Sequence, residues 1–242
     1  MKTIIITGAA SGIGKTTAHL LATEGNQVVL ADLNAENLKN VETEFKQEGL
    51  DVAACQANVT SLESMQELVA FTLKTYGRVD VMINNAGIMP VSLLRDLRVK
   101  EWDAMIDVNL RGVLHGIAAV LPVMREQKHG HIISTSSLAG IKVGKTTSVY
   151  SATKTAVKVI MEGLRMEESP DSGIRTTVIY PGNVNTHLVD TITVDDVKKS
   201  NVQALAIAQD PINIAKAMAY AINTPDDVAI SEIVVRPNCL PF

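Results

Sequence analysis

The sequence predicts a single doubly wound α/β domain spanning residues 1–242, with a seven-stranded parallel sheet and helices on both faces. Three observations carry this prediction. Short β-branched apolar runs alternate with longer helical patterns almost from end to end. The runs are near-continuously hydrophobic, as expected of strands covered on both faces, and repeated strand–helix units close into a parallel sheet through right-handed crossovers. Finally, 242 residues with 46% hydrophobic and only 3% aromatic side chains are enough for one large, mainly aliphatic core.

The elements follow in order. "TIIIT" (3–7) is the first strand; it runs into the glycine turn "GAASGIG" (8–14), from which a helix opens. "QVVLA" (27–31) is the second strand and the amphipathic stretch 35–48 the next helix. "DVAAC" (51–55) is the third strand, and Cys55 at its end reads as a small core residue. The helix over 62–75 opens on Thr60 or Ser61 with Glu63 in its first turn, a favourable start beside the helix's positive end. "VDVMI" (79–83), "HIIST" (131–135), "RTTVIY" (175–180) and "EIVVR" (232–236) supply the remaining strands, with helices over 99–127 and 149–169. The least regular stretch is 183–209, which reads as a mobile loop with a substrate lid at 185–209. No internal repeat or low-complexity linker interrupts the pattern.

Composition narrows the function classes. A net charge of −4 gives no electrostatic reason for nucleic acid or an anionic membrane as partner. No apolar run approaches the roughly 20 residues of a membrane helix, and the N-terminus lacks a secretory pattern. Two distant cysteines, Cys55 and Cys239, fit no disulfide framework and a reducing, cytoplasmic setting. His129-Gly130-His131 resembles a chelate but precedes a strand and lacks a third ligand, so no metal is expected.

The glycine turn admits two ligands. From Ala9, "AASGIGKT" fits the relaxed phosphate-loop pattern of a nucleoside triphosphatase; from Gly8 the same letters give G-x-x-x-G-x-G, suited to a dinucleotide. Both readings rest on free N–H groups at a helix start facing a phosphate. Asp32, eighteen residues beyond Gly14 at the end of the second strand, is placed to accept bonds from ribose hydroxyls, though it could equally serve a magnesium site. Further along, Tyr150 and Lys154 stand four apart on one helix and therefore on one face. An ammonium beside a phenol favours the phenolate, lowering its pKa from about 10 towards a usable range. Ser137 lies thirteen residues earlier, just past a strand end, where ligands bind in open α/β sheets.

Taken together, "TGAASGIG", "NNAG" (84–87), Asn109 in "DVNLRGV", Ser137, "YSATK" and "PGNVNT" (181–186) resemble the short-chain dehydrogenase/reductase family over essentially the whole chain. "NNAGIMPVSLL", "EWDAMIDVNLRGVLHGIAAVLPVM" and "EIVVRPN" are similar to a subgroup of bacterial carbonyl reductases, including clavulanic-aldehyde-type and 3-hydroxy-acid dehydrogenases.

The resemblance implies a Rossmann-type fold and an oxidoreductase that moves a hydride between a nicotinamide cofactor and an alcohol, ketone or aldehyde. By that resemblance Tyr150 is the acid–base group. Lys154 lowers its pKa and bonds the nicotinamide ribose. Ser137 donates to the substrate oxygen, and Asn109 holds a water through its carbonyl in a kinked helix. Gly8, Ser11, Gly12, Ile13 and Gly14 form the pyrophosphate turn. Asp32 and Leu33 face the adenosine ribose, and Asn58 and Val59 the adenine. Asn85, Ala86 and Gly87 pass along the ribose, although bonding of the central strand is an equally simple role for them. Pro181, Gly182, Val184 and Thr186 seat the carboxamide. With Ser11 and Leu33 where phosphate-preferring relatives carry a cation, NAD is expected over NADP. Met89, Pro90, Ile141, Val143, Thr147 and the 185–205 loop are candidate pocket walls for a small or medium apolar carbonyl compound. A homo-tetramer is expected, a dimer being the second choice. Two other readings stay open: a non-catalytic cofactor-sensing regulator and a phosphate-loop nucleotidase.

Overall fold

The computed structural model describes residues 1–239. Its seven strands are β1 (Thr3–Thr7), β2 (Gln27–Asp32), β3 (Val52–Gln56), β4 (Val81–Asn84), β5 (Gly130–Thr135), β6 (Ile174–Pro181) and β7 (Glu232–Val235). They form one all-parallel sheet in the order β3-β2-β1-β4-β5-β6-β7. The chain leaves β1 in one direction and resumes at β4 in the other. A crevice therefore opens at the carboxyl ends of β1 and β4, the position where such sheets hold ligands.

Successive strand side chains point to opposite helical layers, and both sets are buried in the central strands. Ile4 and Ile6 join a core with α1 (Gly12–Thr23), α2 (Ala35–Gln47) and α8 (Pro211–Asn223), represented by Leu21, Phe45 and Met218. Ile5 joins the opposite core with α3 (Leu62–Tyr76), α5 (Gly112–Gln127) and α6 (Ser148–Ser172), represented by Leu68, Val120 and Met161. This double coverage is why the strands read as apolar throughout.

The structure corrects four sequence readings. The helix expected over 99–127 divides into α4 (Val99–Met105), a π-helical turn (Ile106–Arg111) and α5. By length and composition the run Val99–Gln127 also reaches what a bilayer span requires; here its Val113, Ile117, Val120 and Met124 stripe packs into the sheet core. Residues 183–209 are not an irregular loop. They carry a 3-10 turn (His187–Thr191), helix α7 (Asp195–Ala204) and a second 3-10 turn (Leu205–Ile207). Asp195 and Asp196 in the first turn of α7 favour its positive end, a signal outweighed in sequence by the segment's weak apolar periodicity. Bonds between Asn185 N and Gln209 O and between Gln209 N and Asn183 O close the base of this flap. Cys55, lastly, is only half-buried, because β3 is the edge of the sheet.

At the amino ends of the strands, His131 is buried, and its Nε2 lies 2.7 Å from Thr177 Oγ1. Thr177 gives its own proton to Ile230 O, so the His131 Nε2–H is the donor and Nδ1 carries a lone pair with no partner. Protonating Nδ1 would bury an unpaired N–H. Burial first, and then the cations Arg175 and Lys2, push the imidazole down to about 3. A folded pKa below the unfolded value of about 6.5 means the stabilisation is complete above pH 6.5 and lost progressively as pH falls from there towards 3. Thermal melts at pH 7 and pH 5 are expected to show a larger loss for the wild type than for His131→Asn. Equal losses would exclude His131 as a source of acid lability.

Candidate active site

The end of β1 turns sharply into α1 through Gly8, whose φ of +68° is unfavourable for other residues. A Cβ on Gly14 would lie 2.0 Å from Gly8 O, so helix and turn meet at backbone distance. Ser11 caps α1 without lending its side chain, which leaves the positive helix start facing the crevice. Lys15 and Thr16, the phosphate-loop signature, are engaged elsewhere. Lys15 Nζ pairs with Glu44 at 2.7 Å, and Thr16 Oγ1 donates to Gly12 O at 3.0 Å.

Asp32 at the end of β2 is held from two sides. Its Oδ2 accepts from Ala10 N and its Oδ1 from Asn34 N, both at 3.0 Å. Leu33 beside it is largely exposed. Asn58 Oδ1 accepts from the Thr60 backbone N–H and hydroxyl, and Val59 O accepts from His115 Nδ1. Asn85 ties strands together: its Nδ2 donates to Thr7 O at 3.0 Å and its Oδ1 accepts from Thr135 Oγ1 at 3.2 Å. Ala86 N donates to Thr7 Oγ1. A strand-bonding role thus accounts for Asn85 and Ala86 without any ligand.

A cavity of about 720 Å³ runs along this crevice. It gathers every sequence-predicted site residue except Gly14 and Asn109, joining Gly8, Ser11, Gly12, Ile13, Asp32 and Leu33 at one end to Ser137, Tyr150 and Lys154 at the other. Asn58, Val59, Asn85, Ala86, Gly87, Pro181, Gly182, Val184 and Thr186 line the stretch between. Gly14 lies behind the turn. Asn109 is fully buried in the π-helical turn, its amide donating to Ile88 O and accepting from Ile88 N, each at 2.9 Å. The kink expected around Asn109 is therefore this π turn, a local widening frequent at functional sites. Gly87 keeps the approach open, since a Cβ there would stand 3.2 Å from Asn109 Oδ1 and 3.5 Å from Lys154 Nζ.

Tyr150 and Lys154 share one face of α6, as their spacing requires, and both are buried. Lys154 Nζ donates to Thr135 O at 2.8 Å and lies 5.8 Å from the Tyr150 ring centroid. Burial pushes the Tyr150 phenol up to about 12, with a smaller opposing pull from a Ser137 hydrogen bond, and pushes Lys154 down to about 8. The expected lowering of the phenol is thus not met here: its burial dominates, and the Lys154 ammonium is bonded to the Thr135 carbonyl. Ser137 begins a 3-10 turn and accepts from Ala139 N at 3.1 Å, while its neighbour Ser136 donates to Lys154 O.

The family profile described as short chain dehydrogenase matches residues 2–196. The chain belongs to the short-chain dehydrogenase family. An uncharacterised oxidoreductase of Listeria monocytogenes is 45% identical over 243 residues, covering 100% of this chain and 98% of the relative. An alcohol dehydrogenase from the archaeon Thermococcus sibiricus, solved with 5-hydroxy-NADP, superposes with a TM-score of 0.86 at 29% identity, covering 98% of this chain and 97% of that one. The closed form of a serine dehydrogenase complexed with NADP+ superposes with a TM-score of 0.88 at 27% identity, covering 96% and 94%.

In this short-chain dehydrogenase the expected wall from the 185–205 segment is present, with Leu188, Val189, Asn201 and Leu205 reaching the cavity, while Leu138 and Ala139, from the turn after Ser137, are walls that sequence reasoning missed. The expected walls Met89 and Thr147 take part, whereas Pro90, Ile141 and Val143 do not; Pro90 is buried, and Ile141 and Val143 face outward.

Proposed function

We propose that this short-chain dehydrogenase transfers a hydride between NAD(H) and an uncharged secondary alcohol or ketone, or an aldehyde, as a carbonyl reductase or alcohol dehydrogenase. The supporting observation is one continuous cavity with the glycine turn and Asp32 at one end and Ser137, Tyr150 and Lys154 at the other. A nicotinamide dinucleotide fits these residues: the turn approaches only as glycine, and Cβ atoms at Gly8 and Gly12 would close the space towards Ala86 and Thr186. The cofactor supplies the hydride chemistry. Gly8, Ser11, Gly12 and Ile13 would face its pyrophosphate, Asp32 and Leu33 its adenosine ribose, Asn58 and Val59 its adenine, and Pro181, Gly182, Val184 and Thr186 its carboxamide.

For reduction, Tyr150, protonated at neutral pH by its burial, donates its phenolic proton to the carbonyl oxygen. Ser137 Oγ–H donates to the same oxygen as negative charge develops there. Lys154 holds positive charge beside the emerging phenolate, and Asn109 fixes the segment that backs it. Leu138, Ala139, Leu188, Val189 and Leu205 exclude water from the reacting atoms. Among the described residues Lys154 is the one lysine or arginine lining the cavity, so the site offers a substrate carboxylate no separate clamp.

Cofactor oxidation followed at 340 nm against a panel of ketones, aldehydes and alcohols tests the reading. Ser137→Ala is expected to lower kcat by roughly 10²–10³-fold, with cofactor affinity little changed. A variant that keeps wild-type kcat would remove Ser137 from the chemistry. An inactive protein that binds the dinucleotide would instead favour a sensor. Assembly follows from surface character. Leu114 on α5 and Val159 and Met166 on α6 are exposed, an apolar strip on helices already packed on their other side. A homo-tetramer is expected by light scattering at micromolar concentration, a dimer being the second choice; a monomeric mass would contradict both.

A further inference from the structure

Ser136 contributes no group to the proposed reaction, yet its side chain is among the most buried polar groups next to the site. Its backbone N–H donates to Ile179 O at 2.8 Å, which extends the β5–β6 ladder one residue beyond the strand end and fixes Ser136 to the sheet. From that base its Oγ–H donates to the Lys154 carbonyl at 2.8 Å. A carbonyl has two lone pairs, and within α6 one of them serves the helix's own ladder, so this bond is additional to helix formation. The residue before it supplies a second grip: Thr135 O accepts from Lys154 Nζ, also at 2.8 Å. The last residue of β5 and the one just past it thus hold the ammonium and the backbone of one lysine.

The packing around these bonds leaves no slack. A Cβ on Gly140 would lie 2.7 Å from Ser136 Oγ and 3.0 Å from both the carbonyl carbon and oxygen of Lys154. Thr155, next along α6, places its hydroxyl 2.8 Å from Ser151 O of its own helix and 3.0 Å from Gly140 O, sharing one proton between the helix and the 3-10 turn at the same level. Three segments meet at backbone distance where Ser136 reaches Lys154.

We propose that Ser136 is a positioning residue: through the Lys154 carbonyl it fixes the height of α6 against β5 and thereby where the Lys154 ammonium stands in the cavity. This rests on the reading of Lys154 as a working group of the site. Without the Ser136 hydroxyl, Lys154 O keeps its helix bond, so the fold survives while the helix turn gains freedom to shift. The ammonium then leaves Thr135 O for wetter surroundings.

The test follows Lys154 directly in the cofactor-free protein, by NMR titration of ¹³Cε-labelled lysines, with Lys154→Arg to assign the resonance. In the wild type, where burial pushes Lys154 down to about 8, its midpoint is expected well below those of exposed lysines. Ser136→Ala is expected to raise that midpoint by about half a pH unit or more, because relief from burial favours the ammonium. The same variant is expected to lower kcat about tenfold, with a matching displacement of the pH profile. Ser134→Ala is the control: Ser134 is equally buried in β5 but donates to Met161 Sδ, away from the lysine. Its midpoint is expected to stay at the wild-type value. A wild-type midpoint in Ser136→Ala, or equal shifts in both variants, would overturn the positioning role, the second case showing general loosening. The titration needs no turnover, so its failure is distinguishable from that of the hydride-transfer reading, which the Tyr150 variant tests separately.

Discussion

Tyr150→Phe is expected to lower kcat by roughly 10²–10⁴-fold, the usual worth of a positioned acid–base group, while cofactor affinity stays within a few-fold. The argument is local. Tyr150 is buried in a small cluster with Val91, Met105 and Ile192, which also packs Trp102 and Val189, so a phenyl ring fills the same space and the cluster survives. Lys154 keeps its bond to Thr135 O, and the cofactor end of the cavity is untouched. What disappears is the hydroxyl at the end of the cavity where Ser137 stands. A burial-raised phenol near 12 favours the protonated form, suited to proton donation during reduction. In the oxidation direction the phenolate must form, so rates there are expected to rise with pH through the neutral and alkaline range. Steady-state kinetics of both directions, with cofactor binding by the fluorescence of Trp102 or of NADH, checks the set. A phenylalanine variant that keeps a tenth of wild-type kcat would remove Tyr150 from this role.

The second large effect concerns cofactor choice. NAD is expected to exceed NADP by at least about tenfold in kcat/KM, equivalent to about 1.4 kcal/mol. The serine dehydrogenase and the Thermococcus alcohol dehydrogenase were solved with NADP+ and a hydroxy-NADP, so the expectation comes from this chain's own residues. Asp32 is not free to swing aside, because Ala10 N and Asn34 N hold both its oxygens in place. A 2′-phosphate beside it meets a fixed negative charge. Ser11 and Leu33 cannot pair with that phosphate, and Lys15, the cation on α1, is spent on Glu44. Asp32→Ala combined with Leu33→Arg is expected to reverse the preference while leaving the tyrosine chemistry intact, at some cost to the turn that Asp32 braces. Equal or better use of NADPH by the wild type, at fixed salt, would overturn the assignment.

The sheet was legible because its central strands are covered twice. Runs such as "TIIIT" and "HIIST" have no polar face, and their bounds moved by no more than two residues at either end. The edge strands were harder to weigh: Cys55 reads as core from its run but sits half-buried, since neighbour count at a sheet edge is a tertiary fact. The helix within the expected lid escaped notice for another reason. Spanning Asp195–Ala204, it buries no residue fully, so the apolar stripe that announces a helix is nearly absent. The predicted site gathered well because its residues lie at strand ends, where topology alone brings them together. Asn109 and Gly14 stayed outside the cavity because they shape its walls from behind. The pKa of Tyr150 was misjudged from spacing, which gives the lysine's proximity but not the depth of burial.

Transfer of deuterium tests hydride chemistry most directly. The protein is incubated with NADH deuterated at C4, in separate samples of each face, and a panel of uncharged ketones and aldehydes, and products are read by mass spectrometry. The expected result is an alcohol carrying one deuterium on its carbinol carbon from one face of the cofactor only, absent in Tyr150→Phe. Products without deuterium, or none across the panel while the protein hydrolyses ATP with magnesium, would contradict it.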